Sequence, residues 1–319
     1  MTDVNQADSE FQDHLDMVAD AILEGDVVPV LGAGANLCDR GAAEEWVFGT
    51  NLPSGAELSR WLAEKFDCKL VDLDDLVRVS QWADVTRGEG PLYKRLREVF
   101  VQDYPVPSLH EFLAGLPGWM KDNGREVRSQ LIVSTNYDEL MEIALRAKGV
   151  DFDLLRYVTN GEHRGKFVHR HPDGEEVVIE RPNEYLAVDP DKRTVLLKIH
   201  GTIDRKDKRQ DSYVITEDHY IEYLTRTNPS ELIPAPVLAK MVNSAFLFLG
   251  YGMRDWNLRV ILHRILDDRD LDWQSWAVQS HVDRLDEKIW RTRDVDLVES
   301  QLSDYIRQLR ATLDGVVAP

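Results

Sequence analysis

Cysteine is scarce in this chain of 319 residues, and long apolar runs are missing from it. Cys38 and Cys68 are the two cysteines, and neither belongs to a Cys-x-x-Cys pair, which leaves a disulfide framework and a zinc ribbon unsupported. The longest strongly apolar run, residues 245–249, is far shorter than the roughly 20 residues that cross a bilayer. Because residues 1–10 are polar and acidic, unlike a signal peptide, we expect a soluble, cytoplasmic protein without a membrane partner.

Basic charge is scarce as well. The chain has 38 Lys and Arg against 57 Asp and Glu, a formal net charge of −19, and no long basic block offsets it. Nucleic-acid binding depends on neutralising phosphates with basic side chains, so the composition argues against direct contact with DNA or RNA. The hydrophobic content of 43% is enough for a full core, in one large domain with insertions or in two modest ones.

Short apolar runs alternate with helical patterns along most of the chain. Buried strands are predicted at residues 27–31, 131–134, 195–199, 245–249, 274–278 and 295–298. Strands that alternate with helices of about ten residues favour an α/β fold with a doubly wound, Rossmann-like parallel sheet. We therefore predict a single domain over residues 1–319, with a helical insertion over 53–127 and a smaller β-type insertion over 150–193. A capping box at Ser54-Gly-Ala-Glu57 opens the first helix of the helical insertion.

Polar residues or glycines follow four of the predicted strands. They are Gly32-Ala33-Gly34, Thr135-Asn136-Tyr137-Asp138, His200-Gly201, and Gly250-Tyr251-Gly252 with Asp255. Taken singly, each has an ordinary explanation: a tight turn, a helix cap for Asn136 or Asp138, and a core histidine for His200. The carboxyl ends of parallel strands share one edge of the sheet, where ligands bind, so the four together indicate a ligand site.

In this order the motifs resemble the sirtuin-type NAD-binding fold, and most closely the sirtuin-like NAD hydrolases of bacterial antiphage defence. The resemblance covers about residues 26–313. Gly32-Ala33-Gly34 resembles the sirtuin phosphate turn, with Asn36 in place of the usual Ser or Thr, and Leu52-Pro53-Ser54 resembles the Gly-Ile-Pro loop. Thr135-Asn136-Tyr137-Asp138 is similar to the Gln-Asn-Ile-Asp element and His200-Gly201 to the catalytic His-Gly. Residues 248–252 with Asp255-Trp256-Asn257 are similar to a late motif of the defence branch.

The resemblance implies an NAD+ glycohydrolase, which cleaves the nicotinamide–ribose bond and uses NAD as a substrate without any other cofactor. Asn136 and His200 would be catalytic: Asn136 positions the ribose and the water, and His200 accepts a proton. The residues implied to bind NAD are Gly32, Ala33, Gly34, Asn36, Pro53, Thr135, Asp138, Gly250, Gly252, Asp255 and Asn257. Two alternatives stay open: a protein deacylase or ADP-ribosyltransferase on the same fold, and a module that senses NAD or ADP-ribose without cleaving it.

Deacylating sirtuins carry a zinc module of two Cys-x-x-Cys pairs after the His-Gly element, whereas this chain has no cysteine after His200. We therefore expect neither zinc nor deacylation. His163, His169 and His171 lie in the polar insertion, which we interpret as a solvated hairpin without a metal site.

An unregulated NAD hydrolase would harm its own cell, and we expect this chain to have no room for a fused sensor domain. Control is therefore expected through a homo-oligomer or a regulatory partner. The associations of the family point to a HerA-type ATPase or an Argonaute as that partner.

Overall fold

The apolar runs of the sequence form the central strands of one sheet. In the computed structural model, which describes residues 2–41, 44–225, 229–252 and 274–317, these strands are β1 (Val27–Leu31), β2 (Leu131–Ser134), β6 (Thr194–Lys198) and β7 (Ala245–Leu249). Every residue of the four strands is buried, as expected of parallel strands that are covered on both faces.

Within the described part of the chain, five further strands extend the sheet to both sides. They are β3 (Phe152–Tyr157), β4 (Phe167–Arg170), β5 (Glu176–Val178), β8 (Ser275–Gln279) and β9 (Val295–Glu299). The order is β5-β4-β3-β6-β2-β1-β7-β8-β9, in which β3, β4 and β5 pair antiparallel and the other described pairs are parallel. The predicted doubly wound, mostly parallel α/β sheet is confirmed.

Helices cover both faces of the sheet. They are α1 (Thr2–Glu24), α2 (Gly55–Lys65), α3 (Leu76–Arg87), α4 (Glu89–Phe100), α5 (Ser108–Asp122), α6 (Leu140–Ala147), α7 (Glu217–Thr225), α8 (Pro229–Leu232), α9 (Ala235–Val242), α10 (Arg284–Arg291) and α11 (Leu302–Val317). The alternation of side chains along β1 places Val27 and Leu31 in a core with α1, α5, α6 and α11. Val28 and Val30 face the opposite core, with α7, α9 and α10. The sequence pattern also predicts a helix at residues 255–266, which lie outside the described residues.

Helices α2 to α4 lie between β1 and β2 in the chain and have a core of their own. Leu62, Leu92 and Leu96 pack there with Tyr137 and Tyr213, which follow β2 and β6. The capping box expected at Ser54 and Glu57 is present at the start of α2. Helices α2 to α4 are thereby held against the segments that carry the candidate site residues. Among the described residues, no helix has both the length and the apolar character needed to cross a membrane.

Candidate active site

A cleft of about 1130 Å³ opens at the carboxyl edge of the sheet, beyond the ends of β1, β2, β6, β7, β8 and β9. The chain places β2 on one side of β1 and returns with β7 on the other, so the strand order reverses beside β1. This reversal is where doubly wound sheets bind their ligands. The predicted site residues that line the cleft are Ala33, Gly34, Asn36, Pro53, Thr135, Asn136, Asp138, His200, Gly250 and Gly252.

The glycine turn after β1 packs directly on the glycine turn after β7. Gly34 N–H donates to Gly250 O over 2.7 Å, and a Cβ placed on Gly34 would lie 2.7 Å from the same oxygen. Gly250 has φ of +64°, a left-handed conformation that glycine adopts without strain. These glycines are thus required by contact between two backbones, and the Gly34 amide is already engaged within the protein.

Gly32 differs from the prediction. It is buried, lies outside the cleft lining, and donates its N–H to Leu249 O over 3.1 Å. Its carbonyl oxygen instead accepts a hydrogen bond of 3.0 Å from Asn136 Nδ2. Gly32 therefore supports the site by orienting Asn136 and is not itself placed to meet a ligand.

Asn136 follows β2 and is almost completely buried at the base of the cleft. Its side-chain amide nitrogen donates to Gly32 O, which assigns the other atom of the amide, Oδ1, as the hydrogen-bond acceptor of this side chain. The adjacent Thr135 joins the end of β2 to the end of β1, because its N–H and its hydroxyl both donate to Leu31 O, over 3.0 and 3.1 Å.

Asp138 is held in place by two hydrogen bonds. Its Oδ2 accepts from Asn36 Nδ2 over 2.7 Å, and its Oδ1 accepts from the Leu140 N–H over 3.0 Å at the start of α6. Asp138 thus holds the first residue of α6 from the position just before the N-cap, Glu139, and it also lines the cleft. Because Asn36 donates its amide nitrogen to the Asp138 carboxylate, the amide oxygen of Asn36, Oδ1, points away from that carboxylate. The Asn36 Oδ1 is buried and has no hydrogen-bond partner within the described ranges.

His200 follows β6, the neighbour of β2 in the sheet, so it lies one strand away from Asn136. The imidazole is 3% exposed and lines the cleft. Tyr220 and Tyr223 of α7 lie edge-on to the ring, with centroids 5.4 and 6.4 Å away. The backbone is fixed by a hydrogen bond of 2.8 Å from the Val214 N–H to His200 O. A base in this position is shielded from bulk water on its aromatic side.

A buried ionic group lies behind Asp138. Lys198, at the end of β6, donates to Asp138 O and pairs with Glu142 Oε1 at 3.4 Å. Lys198 and Glu142 are both almost fully buried, and burial raises the pKa of Glu142. His110 of α5 is buried nearby, and burial lowers its pKa to about 4. The amine of Lys198 thus fixes the backbone from which Asp138 extends.

The loop with Pro53 and Ser54 forms a wall of the cleft together with Arg40. Arg40 Nη2 donates to both oxygens of Glu57, over 3.0 and 2.9 Å. Burial by itself raises the pKa of Glu57, but hydrogen bonds from Ser54 and Arg40 outweigh it and hold the pKa below its usual value. Arg40 Nη1 is buried and has no hydrogen-bond partner among the residues that the structure describes.

The lining also contains residues that the sequence did not predict, among them Arg40, Tyr220 and the segments at the ends of β8 and β9. Those segments contribute Gln279 at the end of β8, Ser280, and residues 300–304, which run into α11. The rule that ligands bind at the shared carboxyl edge of parallel strands identifies the segments after β8 and β9, because both strands end at that edge of the sheet. Asp255 and Asn257, which were predicted to bind NAD, lie outside the described residues.

The histidines of the β-type insertion do not form a solvated hairpin as predicted. His169 of β4 is fully buried, with Nε2 3.0 Å from Asp153 Oδ1 and Nδ1 2.7 Å from the Tyr185 hydroxyl. His171 is partly exposed, and its Nδ1 lies 4.0 Å from the same Asp153 oxygen. The difference arises because the pairing of β3 with β4 brings His169 against Asp153, and because Tyr185, which follows β5, contacts the other nitrogen of the His169 ring.

The fold and the cleft define a doubly wound α/β protein with its ligand site at the reversal of the strand order. The family model described as SIR2-like domain matches residues 130–298, more than half of the chain, and the chain belongs to this family. The predicted membership of a sirtuin-like family is confirmed.

Among curated proteins, the chain is similar to an NAD(+) hydrolase ThsA of Acinetobacter baumannii (strain 532279), with 28% identity over 68% of this chain and 37% of that protein. A second NAD(+) hydrolase ThsA, of Cytobacillus dafuensis, is 23% identical over the same shares of both chains. Defense-associated sirtuin 2 of Bacillus subtilis is 23% identical over 60% of this chain and 15% of that protein. The chain therefore spans well under half the length of these relatives.

Proposed function

We propose that this chain is an NAD+ glycohydrolase that cleaves the bond between nicotinamide and ribose. The observation that carries the proposal is the convergence of Asn136 and His200 at the ends of neighbouring strands, in one cleft that also contains the two glycine turns. Relatives named as NAD(+) hydrolases support it. The reaction consumes NAD+ and one water and yields nicotinamide, ADP-ribose and a proton, with no change of redox state and no cofactor besides the substrate.

The side chains of the cleft suit this bond cleavage. Nicotinamide leaves as a neutral group and the ribose passes through an oxocarbenium-like state, so the protein has to position the reactants and manage one proton. Asn136 Oδ1 is oriented to accept a hydrogen bond from a ribose hydroxyl or from the attacking water. His200 would accept the proton that this water releases.

The remaining cleft residues suit the two ends of the dinucleotide. The buried Asn36 Oδ1 is an acceptor for an N–H donor, and the carboxamide of nicotinamide carries one. The Arg40 guanidinium provides positive charge on the cleft wall for the pyrophosphate. The two glycine turns pack on each other and thereby place Ala33 and Gly34 in the lining of the cleft.

The test is incubation of the purified chain with NAD+ alone, with nicotinamide and ADP-ribose measured by chromatography. Asn136→Ala and His200→Ala should each lower turnover by about 100-fold or more, a typical contribution of a positioned acid or base. Asn243→Ala and His281→Ala, which change exposed residues outside the cleft, are the matched controls and should match the unmodified chain.

The same assay separates the alternatives. Turnover that begins only when an acylated peptide is added would identify a deacylase, and label transferred to protein would identify an ADP-ribosyltransferase. Binding of NAD+ without any turnover, in the unmodified chain and in both variants, would identify a sensor module. Each of these results would overturn the hydrolase proposal.

We further propose that the hydrolase depletes NAD in antiphage defence and is controlled by assembly. Uncontrolled turnover would consume the NAD of its own cell, so activity should depend on a homo-oligomer or on a regulatory partner such as a HerA-type ATPase or an Argonaute. The test is light scattering and NAD turnover on the same samples, with and without the candidate partner. A monomer with full activity would contradict this part of the proposal and leave the hydrolase assignment intact.

A further inference from the structure

Two histidines and a carboxylate meet on one face of the β3–β4 pair. His169 and His171 are two residues apart on an extended segment, so both side chains leave the same face of the sheet. The antiparallel register pairs Leu154 with Arg170, which places Asp153 opposite His171. The two imidazole centroids are 3.9 Å apart, and one ligand atom from each of the three residues lies within 4.8 Å of the others.

We propose that Asp153, His169 and His171 form a binding site for a divalent transition-metal ion of the zinc type. Two imidazole nitrogens and one carboxylate oxygen on one face are a donor set that suits such ions, with the remaining coordination positions left to water. Bond lengths of about 2.0–2.2 Å require neighbouring donor atoms roughly 3–3.5 Å apart. His169 Nε2 and Asp153 Oδ1 already meet this requirement at 3.0 Å. His171, whose side chain is 24% exposed, has its Nδ1 4.0 Å from Asp153 Oδ1 and has to approach that oxygen by roughly 0.5–1 Å.

Tyr185 provides the outer support that metal-binding histidines require. Its hydroxyl lies 2.7 Å from His169 Nδ1, so the ring is fixed with Nε2 directed at Asp153. When a metal binds Nε2, the ring proton resides on Nδ1 and donates to the Tyr185 oxygen. Such a hydrogen bond fixes the tautomer and raises the basicity of the ligand. The backbone of His171 is also fixed, by a hydrogen bond of 2.8 Å from its N–H to Glu175 O.

Arg193 is the competitor of the metal ion. Its Nη1 lies 3.1 and 3.3 Å from the two oxygens of Asp153 and balances the charge of a carboxylate that is 2% exposed. The side chain of Arg193 is 45% exposed, so it can move into solvent when a divalent cation takes its place. A buried carboxylate needs one positive partner, and the arginine and the metal are alternatives for that position.

The site is separate from the NAD cleft. Asp153 is the second residue of β3, which runs parallel to β6, so it lies at the amino-terminal edge of these strands, opposite the end that carries His200. The proposal therefore does not depend on the hydrolase assignment, and the metal takes no part in the cleavage of NAD. Its chemical effect would be to join β3 to the segment that follows β4.

The experiment measures metal binding directly on the full chain without a histidine tag. The protein is treated with a chelator, dialysed, and titrated with Zn²⁺ by calorimetry and with Co²⁺ by visible absorption. His171→Ala is the main variant because its side chain is partly exposed, and circular dichroism checks that it is folded. His281→Ala, an exposed histidine far from the site in the sequence, is the matched control.

The expected result is one equivalent of bound Zn²⁺ that His171→Ala loses or weakens by at least about tenfold and His281→Ala retains. Tyr185→Phe should weaken binding by about 10–100-fold, as loss of an outer-shell partner does. Arg193→Ala should tighten binding severalfold, because the competing cation is gone. Equal Zn²⁺ binding by the unmodified chain and His171→Ala, or no Zn²⁺ binding by either, would overturn the proposal. If the Arg193→Ala variant binds Zn²⁺ more weakly than the unmodified chain does, the proposed competition between Arg193 and the metal ion is refuted.

Discussion

The contact between the two glycine turns gives a sharp test of how the cleft is built. The perturbation is Gly34→Ala, which adds a single methyl group. This carbon would lie 2.7 Å from Gly250 O and 2.9 Å from Gly250 Cα. Ordinary contacts of this kind begin near 3.4 Å, so the two turns must separate by about 0.7 Å. The hydrogen bond from Gly34 N–H to Gly250 O, now 2.7 Å, has to lengthen or break.

The cost follows from these two effects. Overpacking of a tight contact costs about 1–3 kcal/mol, and a lost backbone hydrogen bond costs about 1 kcal/mol more. We therefore expect Gly34→Ala to lower the free energy of unfolding by about 2–4 kcal/mol. The displaced turn also carries Gly32, which orients Asn136, and Asn36, which holds Asp138. Misplacement on this scale costs up to about 100-fold in rate, so NAD turnover should fall by about that factor.

The assay is urea unfolding followed by circular dichroism, together with NAD turnover at saturating substrate. Gly118→Ala is the matched control because Gly118 lies in α5 with no described atom within 4 Å of the added carbon. Alanine is the better helix former there, so this variant should gain up to about 1 kcal/mol and keep its activity. If Gly34→Ala unfolds at the same urea concentration as the unmodified chain and turns over NAD at the same rate, the reasoning is refuted.

Two further outcomes are expected from the buried charges. The Lys198→Met variant leaves Glu142 without its buried partner and should lower the free energy of unfolding in urea by about 3–5 kcal/mol. An unchanged urea midpoint would show that the ion pair contributes nothing to stability. Burial lowers the pKa of His14 in the folded chain from 6.5 to about 4. As the pH falls from about 6.5 to about 4, His14 is therefore protonated in the unfolded chain but not in the folded chain. The free energy of unfolding should decline over this pH range. The total loss in free energy of unfolding across this pH range should be about 3 kcal/mol. The His14→Gln variant should show a shallower decline over the same range.

The sequence by itself determined the class of fold and the position of the candidate site along the chain. Apolar, β-branched runs such as residues 27–31 favour buried strands, and their alternation with helices favours a parallel sheet covered on both faces. Parallel strands share one carboxyl edge, and this rule predicts that Asn136 and His200 line the same site. This inference needs local patterns and one geometric rule.

Only the tertiary structure decided which atoms of these residues face the ligand. Gly32 was expected to bind NAD, but it lies behind the turn and orients Asn136. Asp153 was not singled out at all, because its position opposite His171 follows from the register of β3 and β4. Register and the approach of two backbones depend on how the whole sheet packs, and a short window of sequence does not contain that information. The glycine turn after β1 was correctly located from the sequence, but its contact with Gly250 is a property of the fold.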